Sequence, residues 1–323
     1  MSNFRLSVGT LVTRLCAPLC APLCVLLLAP LLVLMSACAP QYSSDLSPEL
    51  TKVTESGFVE HGSARLYFTQ RGDPDQPLVV FIHGTPGSWR GFQGYLENER
   101  LASRVHMIAV DRLGFGRSAE SGVQPSFAEQ AAAIARVIKL NRSDRKAVVV
   151  GHSLGGSIGY RLAIDRPDAI GALVAVSSAL DPSISDPRWY NKLARWRLSQ
   201  WLIAPELTTS NREMLQLKPE LLALQPHLPD LAVPITILQG GEDWLVLESH
   251  VDYAQKIVQN QQIRVVEFPE RGHFVVWEEL DTVVDEILRA VDLIEQQQVE
   301  QQKAEQQKAE QQQKNLKAPA VEF

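Results

Sequence analysis

The stretch AVVVGHSLG, residues 147–155, joins four apolar residues directly to a glycine-rich turn. A continuous apolar run of this kind is typical of a strand buried on both faces of a sheet. Residues 154–165 then have the pattern of a helix. A strand that enters a helix through Gly-x-Ser-x-Gly holds its serine on a tight, strained turn with the hydroxyl clear of the sheet. The five-residue pattern is short, so its meaning depends on the strand and the helix that flank Ser153.

Similar apolar runs recur along the chain and alternate with helical patterns. A hairpin is predicted over 58–60 and 64–70, and buried strands over 78–82, 105–110, 147–150, 172–176, 235–238 and 263–268. Helices are predicted over 127–140, 154–165, 247–259 and 275–294. Alternation of this kind predicts an α/β fold with a mostly parallel central sheet and helices on both faces.

Composition limits the classes of function. The chain has 323 residues, of which 45% are hydrophobic and 21% charged, as in ordinary globular proteins. Its formal net charge is −6, and loss of Arg5 and Arg14 with the N-terminal segment would make it −8. Such a balance argues against a nucleic-acid partner. All cysteines lie within the first 38 residues, so no disulfide, thiolate metal site or cysteine nucleophile is expected in the folded domain.

The N-terminal segment reads as an export signal. Two arginines precede an uncharged apolar run over 15–37, as in secretory signals, and we predict a signal peptide over 1–37. LMSAC, residues 34–38, resembles the lipobox of bacterial lipoproteins, which implies cleavage before Cys38 and lipidation of its thiol. An uncleaved anchor or a secreted form are the alternatives. Each of these three possibilities places the domain outside the cytoplasm, and the lipoprotein places it in the cell envelope. Ala39, directly after Cys38, resembles the outer-membrane sorting pattern. Residues 38–54 read as a tether.

Two further segments depart from the alternation. Residues 181–232 contain no buried-strand run but several aromatic and basic residues, which predicts a small helical cap. An ordinary amphipathic helix pair that packs on the core is a compatible interpretation. Whether the aromatic and basic residues of this segment also contact a membrane stays open. Residues 296–323 are rich in Gln, Lys, Glu and Ala and lack an apolar stripe, so we expect disorder or a fraying, solvated helix.

Three stretches carry a resemblance to a known family. HGTPGS at 83–88, DRLGFGRS at 111–118 and GHSLGG at 151–156 are similar, in order, to the signature stretches of the α/β-hydrolase superfamily. The resemblance covers about 55–295 and implies the α/β-hydrolase fold with Ser153 as nucleophile. It also implies an oxyanion hole formed by the backbone N–H groups of Thr85 and Leu154. His83 would then be structural rather than the catalytic base.

The family order of serine, acid and histidine places the base downstream of Ser153. His227 and His250 fall in the cap and in a helical pattern, whereas His273 follows the strand 263–268 on a short turn, where the family has its catalytic histidine.

The acid is expected at the turn after the strand 235–238. Residues 239–243, QGGED, resemble the Gly-x-x-Asp turn of the family, which favours Asp243. Glu242 is its nearest rival, and Asp181, after the strand 172–176, is a second, because some members carry the acid there.

A serine with a neutral base suits acyl transfer, since family members that open epoxides or displace halide use an aspartate at this turn. We therefore expect a serine hydrolase of a small-molecule carboxylic ester, with no cofactor and no metal. A cofactor-free perhydrolase or haloperoxidase-like activity, or hydrolysis of another acyl substrate, could use the same residues. A non-catalytic envelope protein that keeps the fold for binding is the alternative of another class.

Overall fold

The structure is a computed structural model that describes residues 54–194, 204–259 and 262–317. The predicted signal peptide 1–37, Cys38 and the tether up to residue 53 lie outside the described residues. Trp196, Trp201 and residues 318–323 also lie outside them. Within the described ranges, no helix has the length and apolar character needed to cross a membrane.

One eight-stranded sheet forms the centre of the domain. Its strands are β1 (Glu55–His61), β2 (Ala64–Arg71), β3 (Leu78–Ile82), β4 (His106–Asp111), β5 (Ala147–His152), β6 (Ile170–Val176), β7 (Ile235–Gly240) and β8 (Ile263–Phe268). Their order is β1-β2-β4-β3-β5-β6-β7-β8. The β1–β2 hairpin and the β2–β4 pair are antiparallel, and all other pairs are parallel. The predicted α/β-hydrolase fold with a mostly parallel sheet is confirmed.

Burial of the strands follows their place in the sheet. Every residue of β3, β4, β5, β6 and β7 is buried, as continuous apolar runs predict. The prediction of a buried strand over 263–268 was wrong in one respect, because β8 forms an edge of the sheet. Among the strands of the described ranges β7 alone pairs with it, and its side chains are half-buried or exposed.

Helices cover both faces of the sheet. They are α1 (Gln93–Leu96), α2 (Glu99–Ala102), α3 (Phe127–Ile138), α4 (Leu154–Asp165), α5 (Trp189–Leu193), α6 (Pro205–Leu224), α7 (Ser249–Ile257), α8 (Val275–Glu278) and α9 (Leu280–Lys317). Side chains of α3 and α4, such as Ile134 and Ile158, belong to one core cluster with Val149. Val283 and Ile287 of α9 are buried outside that cluster. Because strand side chains alternate between faces, α9 covers the side of the sheet opposite to α4.

The regular elements that the structure describes in the insertion after β6 are all helical. Within residues 181–232 they are α5, α6 and the 3₁₀ turns Pro182–Ile184 and Gln225–Asp230, joined by short loops. At the other end of the domain, α9 continues past residue 295 to Lys317, with exposed side chains over residues 299–312. For the tail, the sequence left open disorder or a solvated helix, and the described residues form the helix.

Candidate active site

The carboxyl ends of four parallel strands bring the predicted site residues to one edge of the sheet. His152 at the end of β5 is in register with Val176 of β6, which is in register with Leu238 of β7. The turns that follow β5, β7 and β8 carry Ser153, Asp243 and His273 respectively. In open α/β sheets, sites form at this edge.

Ser153 occupies a strained turn between β5 and α4. Its backbone has φ 54° and ψ −125°, a conformation that a non-glycine residue rarely adopts, and its N–H donates to the carbonyl of Val176 at 2.9 Å. The flanking glycines are required because neighbouring backbone leaves no room for a side chain. A Cβ on Gly151 would lie 2.5 Å from the carbonyl oxygen of Gly155, and one on Gly155 would collide with the carbonyl oxygen of Ile82. The turn leaves Ser153 half-exposed.

The loop after β3 packs directly against this turn. A Cβ on Gly84 would lie 2.9 Å from Cβ of Ser153, so the two backbones are in close contact. Within the described ranges, neither the N–H of Thr85 nor that of Leu154 donates a hydrogen bond. Leu154 begins a twelve-residue helix, whose amino end favours negative charge. Two N–H groups without an acceptor among the described residues therefore lie in the residue after Ser153 and in the loop that packs against it.

His273 and Asp243 form a buried hydrogen-bonded pair. Nδ1–H of His273 donates to Oδ2 of Asp243 at 2.8 Å, and Oδ1 accepts from the N–H groups of Leu245 at 2.9 Å and Val246 at 2.8 Å. Burial alone would raise the pKa of Asp243. The hydrogen bonds from His273 and the two N–H groups outweigh burial and hold this pKa below its usual value. The carboxylate is therefore ionised and fully engaged.

The rival acids are differently employed. Oδ1 of Asp181 accepts the N–H of Ser183 at 2.7 Å and so caps a 3₁₀ turn. Glu242 is exposed, and within the described part of the chain neither residue has a side-chain hydrogen bond to His273.

The rival histidines are also accounted for. Nδ1 of His250 accepts the N–H groups of Leu180 and Asp181, and burial lowers its pKa to about 4. His227 is exposed on the 3₁₀ turn 225–230.

His83 has the structural position that the resemblance implied. Its Nε2 accepts the N–H of Arg112 at 3.0 Å, so the ring proton lies on Nδ1, which donates to the carbonyl of Gly84 at 2.7 Å. Burial, reinforced by the nearby charge of Arg112, lowers the pKa of His83 well below its usual value. The two ring nitrogens thus join the backbone at Gly84, before Thr85, to the backbone at Arg112, after β4.

His152 connects the serine turn to the histidine turn. Its Nε2–H donates to the carbonyl of His273 at 3.1 Å, and the two ring centroids are 4.9 Å apart. Burial, with a smaller contribution from His273, lowers the pKa of His152 to about 3, so this neighbour of Ser153 is neutral. In the described part of the structure, no hydrogen bond joins Oγ of Ser153 to His273. Such bonds are often long in ligand-free sites and tighten when substrate binds.

Two contacts of the site have no signal in the sequence. Arg112 is buried and donates to both carboxylate oxygens of Glu213 on α6, at 2.6 and 3.0 Å. The same guanidinium donates to the carbonyls of His83 and Gly84. Nε2–H of Gln239 lies 3.4 Å from Oδ2 of Asp243, at the edge of hydrogen-bonding distance. Arg112 lies within the DRLGFGRS motif, but nothing in the sequence indicated its role or Glu213 as its partner.

Known proteins resemble the chain in sequence over part of their length. Epoxide hydrolase 1 of Caenorhabditis elegans is 26% identical over 179 residues, which are 53% of this chain and 43% of that protein. The 2-hydroxy-6-oxo-6-(2'-aminophenyl)hexa-2,4-dienoic acid hydrolase of Metapseudomonas resinovorans is 28% identical over 141 residues, 41% of this chain and 46% of that protein. The chain thus spans less than half the length of these relatives.

Solved structures resemble the fold over most of the chain. Cfl2 of Burkholderia cenocepacia matches with a TM-score of 0.62 and 17% identity, over 77% of this chain and 98% of that one. Carboxylesterase CesB of Bacillus subtilis matches with a TM-score of 0.53 and 18% identity, over 73% and 90%. Identities this low support the fold alone.

The family assignment rests on a sequence model that spans most of the domain. The model described as "Alpha/beta hydrolase family" matches residues 79–286, from β3 into α9, and includes Ser153, Asp243 and His273. The chain belongs to the alpha/beta hydrolase family.

Proposed function

We propose that the protein is a serine hydrolase that cleaves a carboxylic ester through an acyl-enzyme. The observation that carries this proposal is the strained Ser153 turn at the sheet edge where His273 is hydrogen-bonded to Asp243. A nucleophile, a base and a group that orients the base are the three parts that covalent acyl transfer needs.

The chemistry begins with proton transfer from Ser153. Nδ1 of His273 is engaged by Asp243, so Nε2 is the nitrogen that takes the proton from Oγ as this oxygen attacks the carbonyl carbon. Asp243 fixes that tautomer and stabilises the imidazolium. The proton then passes to the departing alcohol while the acyl group stays on Oγ. Water, deprotonated by the same histidine, releases the acid and restores Ser153.

The tetrahedral intermediate carries a negative oxygen that needs donors. We assign this role to the N–H groups of Thr85 and Leu154. Both lack an acceptor among the described residues; Leu154 follows Ser153 in the chain, and Thr85 lies in the loop that packs against it. Each such donor typically contributes about a hundred- to a thousandfold to kcat. The amino end of α4 adds a favourable dipole.

The resemblance to an epoxide hydrolase does not change the reaction that we propose. A carboxylate that opens an epoxide forms an ester, which water can hydrolyse. Oγ of Ser153 would form an ether instead, and water does not cleave an ether under these conditions, so the enzyme would stop after one event. A carbonyl substrate is the class that a serine can turn over.

Turnover of an ester series tests the proposal. The protein should hydrolyse p-nitrophenyl esters, and the dependence of kcat/KM on acyl length should report the length that the site accepts. Ser153→Ala should abolish turnover. Ser183→Ala, an exposed serine at the 3₁₀ turn 182–184, is the matched control and should retain it. Equal activity of Ser153→Ala and the native protein would exclude the proposed mechanism.

We also propose that the domain is exported and held at a membrane through a lipidated Cys38. The support is the sequence alone: the apolar run 15–37 and the LMSAC stretch at 34–38. Metabolic labelling with a palmitate analogue should mark the protein in its host cells, and Cys38→Ser should remove the label. Undiminished labelling of Cys38→Ser would contradict the proposed anchor.

A further inference from the structure

Exposed apolar side chains are concentrated in two segments of the domain that contact each other. Eight large apolar residues are exposed in the described part of the chain, and five of them lie in residues 184–193 and 244–247. These five, Ile184, Trp189, Leu193, Trp244 and Leu247, have 41 to 60% of their surface exposed and are called here the Trp189–Trp244 face. Soluble proteins rarely leave such a group exposed without a binding partner.

Direct contacts hold the two segments of this face together. The guanidinium of Arg188 donates to the carbonyl of Trp244 at 2.6 Å and lies 5.3 Å from the centroid of its ring. Deeper in the fold, Nδ1 of His250 accepts the N–H groups of Leu180 and Asp181. The cap segment and the turn that begins at Asp243 are therefore in direct contact.

The charge around the face differs from that of the whole protein. The chain has a formal charge of −6, yet residues 187–204 contain four basic residues and no acidic one. Of these, Arg188 and Lys192 are described, and both are exposed. Next to the segment 244–247, Glu242 and Glu248 are exposed. In the cap segment, Asp186 is paired with Lys218 at 2.9 Å. The cap side of the face thus combines an exposed tryptophan with two exposed basic side chains, Arg188 and Lys192.

We propose that the Trp189–Trp244 face adsorbs to an anionic phospholipid surface. Tryptophan favours the boundary between water and acyl chains, because its ring is apolar and its N–H is polar. Basic residues beside it attract anionic headgroups. If Cys38 is the anchor, the 16 residues to Thr54 reach at most ~55 Å, which confines the domain near the bilayer. Adsorption would turn the loop that carries Asp243 toward the lipid.

Hydrogen exchange on vesicle-bound full-length protein tests this inference. Ser153→Ala is used as the parent so that hydrolysis does not alter the lipid, and the result is then independent of activity. In the uncleaved full-length chain the apolar run 15–37 would itself bind any vesicle, so binding alone does not discriminate. The measured quantity is the exchange rate of peptides covering 181–194 and 244–257, on phosphatidylcholine vesicles with and without phosphatidylglycerol.

Exchange in both segments should slow on vesicles that contain phosphatidylglycerol. Trp189→Ser combined with Trp244→Ser should remove this protection, whereas Leu222→Ser, another exposed apolar residue on the cap, should leave it unchanged. Lys192→Gln should reduce the extra protection that phosphatidylglycerol gives by about fivefold, which is the factor for one basic residue at an anionic surface. Equal exchange rates with and without vesicles would overturn the proposal. So would protection that rises with protein concentration without lipid, since it would assign the face to a second copy of the chain.

Discussion

The guanidinium of Arg112 and the carboxylate of Glu213 form a bidentate ion pair from which solvent is excluded. Glu213 belongs to the cap helix α6, whereas Arg112 also donates to the carbonyls of His83 and Gly84 in the loop that leads to Thr85. One side chain therefore connects the cap to the loop proposed to bind the oxyanion. We therefore expect the position of the cap and the position of the Thr85 N–H group to depend on each other.

Removal of one partner should cost more than removal of both. Glu213→Gln leaves the charge of Arg112 buried without compensation and should lower the free energy of unfolding by about 3–5 kcal/mol, measured by chemical denaturation. Arg112→Met combined with Glu213→Leu should recover part of this loss, because no buried charge is left unpaired, although the carbonyl of His83 loses its donor. Lys218→Gln, which removes a more exposed ion pair with Asp186, should cost no more than about 1 kcal/mol. A Glu213→Gln variant as stable as the native protein would contradict the structure.

Asp243 should be essential for rate but not for folding. Asp243→Asn keeps the shape of the side chain but favours the wrong tautomer of His273, so kcat should fall by about 10⁴ on an ester substrate. Circular dichroism should remain native. Glu242→Gln is the matched control next in the chain and should keep its activity. If Glu242→Gln proved to be the impaired variant, the acid would be misassigned.

Thr85 should act through its backbone rather than its side chain. Its Oγ1 is buried without a hydrogen-bond partner among the described residues, so Thr85→Val should leave stability unchanged or raised. Because the proposed donor is the N–H group, kcat should remain within about threefold of the native value, whereas loss of one oxyanion donor costs about a hundredfold or more. A hundredfold fall for Thr85→Val would assign that role to the hydroxyl.

Buried histidines should make stability depend on pH. Burial lowers the pKa of His152 to about 3 and that of His250 to about 4, below the ordinary value of about 6.5. Between about pH 4 and 6.5 the unfolded chain binds protons that the folded chain excludes, so the free energy of unfolding should fall as pH falls. Each histidine contributes up to about 1.4 kcal/mol per pH unit in this window.

Denaturant unfolding at several pH values measures that slope. His250→Gln keeps an acceptor for the N–H groups of Leu180 and Asp181 and should reduce the slope by about 1.4 kcal/mol per pH unit. An unchanged slope in His250→Gln would show that this histidine does not remain neutral in the folded protein.

Local patterns were sufficient to predict most of the fold. The strand 78–82 and the helix 154–165 have the predicted bounds, because apolar runs and helical periodicity are properties of neighbouring residues. The edge position of β8 was not predicted, although Arg264 and Glu267 distinguish its six residues from the uncharged central strand 78–82. It depends on the order of the strands in the sheet. The end of α9 was also missed, because the part of this helix after residue 295 has no apolar stripe and gives no periodic signal.

The residues of the candidate site were predicted more from their order along the chain than from the local pattern around each. His273 and Asp243 were chosen because each follows a strand in the order of the family, and the structure joins them at 2.8 Å. Their catalytic role remains a prediction. The pairing of Arg112 with Glu213 spans 101 positions, and Glu213 lies in a helix rich in polar residues, so no spacing indicated it.

Labelling with a fluorophosphonate tests the central claim most directly, because this reagent forms a stable adduct only with a serine that is activated as a nucleophile. The native protein should gain one adduct, and peptide mass spectrometry should place it on Ser153. Ser153→Ala should gain none, and His273→Ala should react far more slowly because no base activates Oγ. A native protein that does not react, or one that carries the adduct on another serine, would contradict the assignment of Ser153 as the nucleophile.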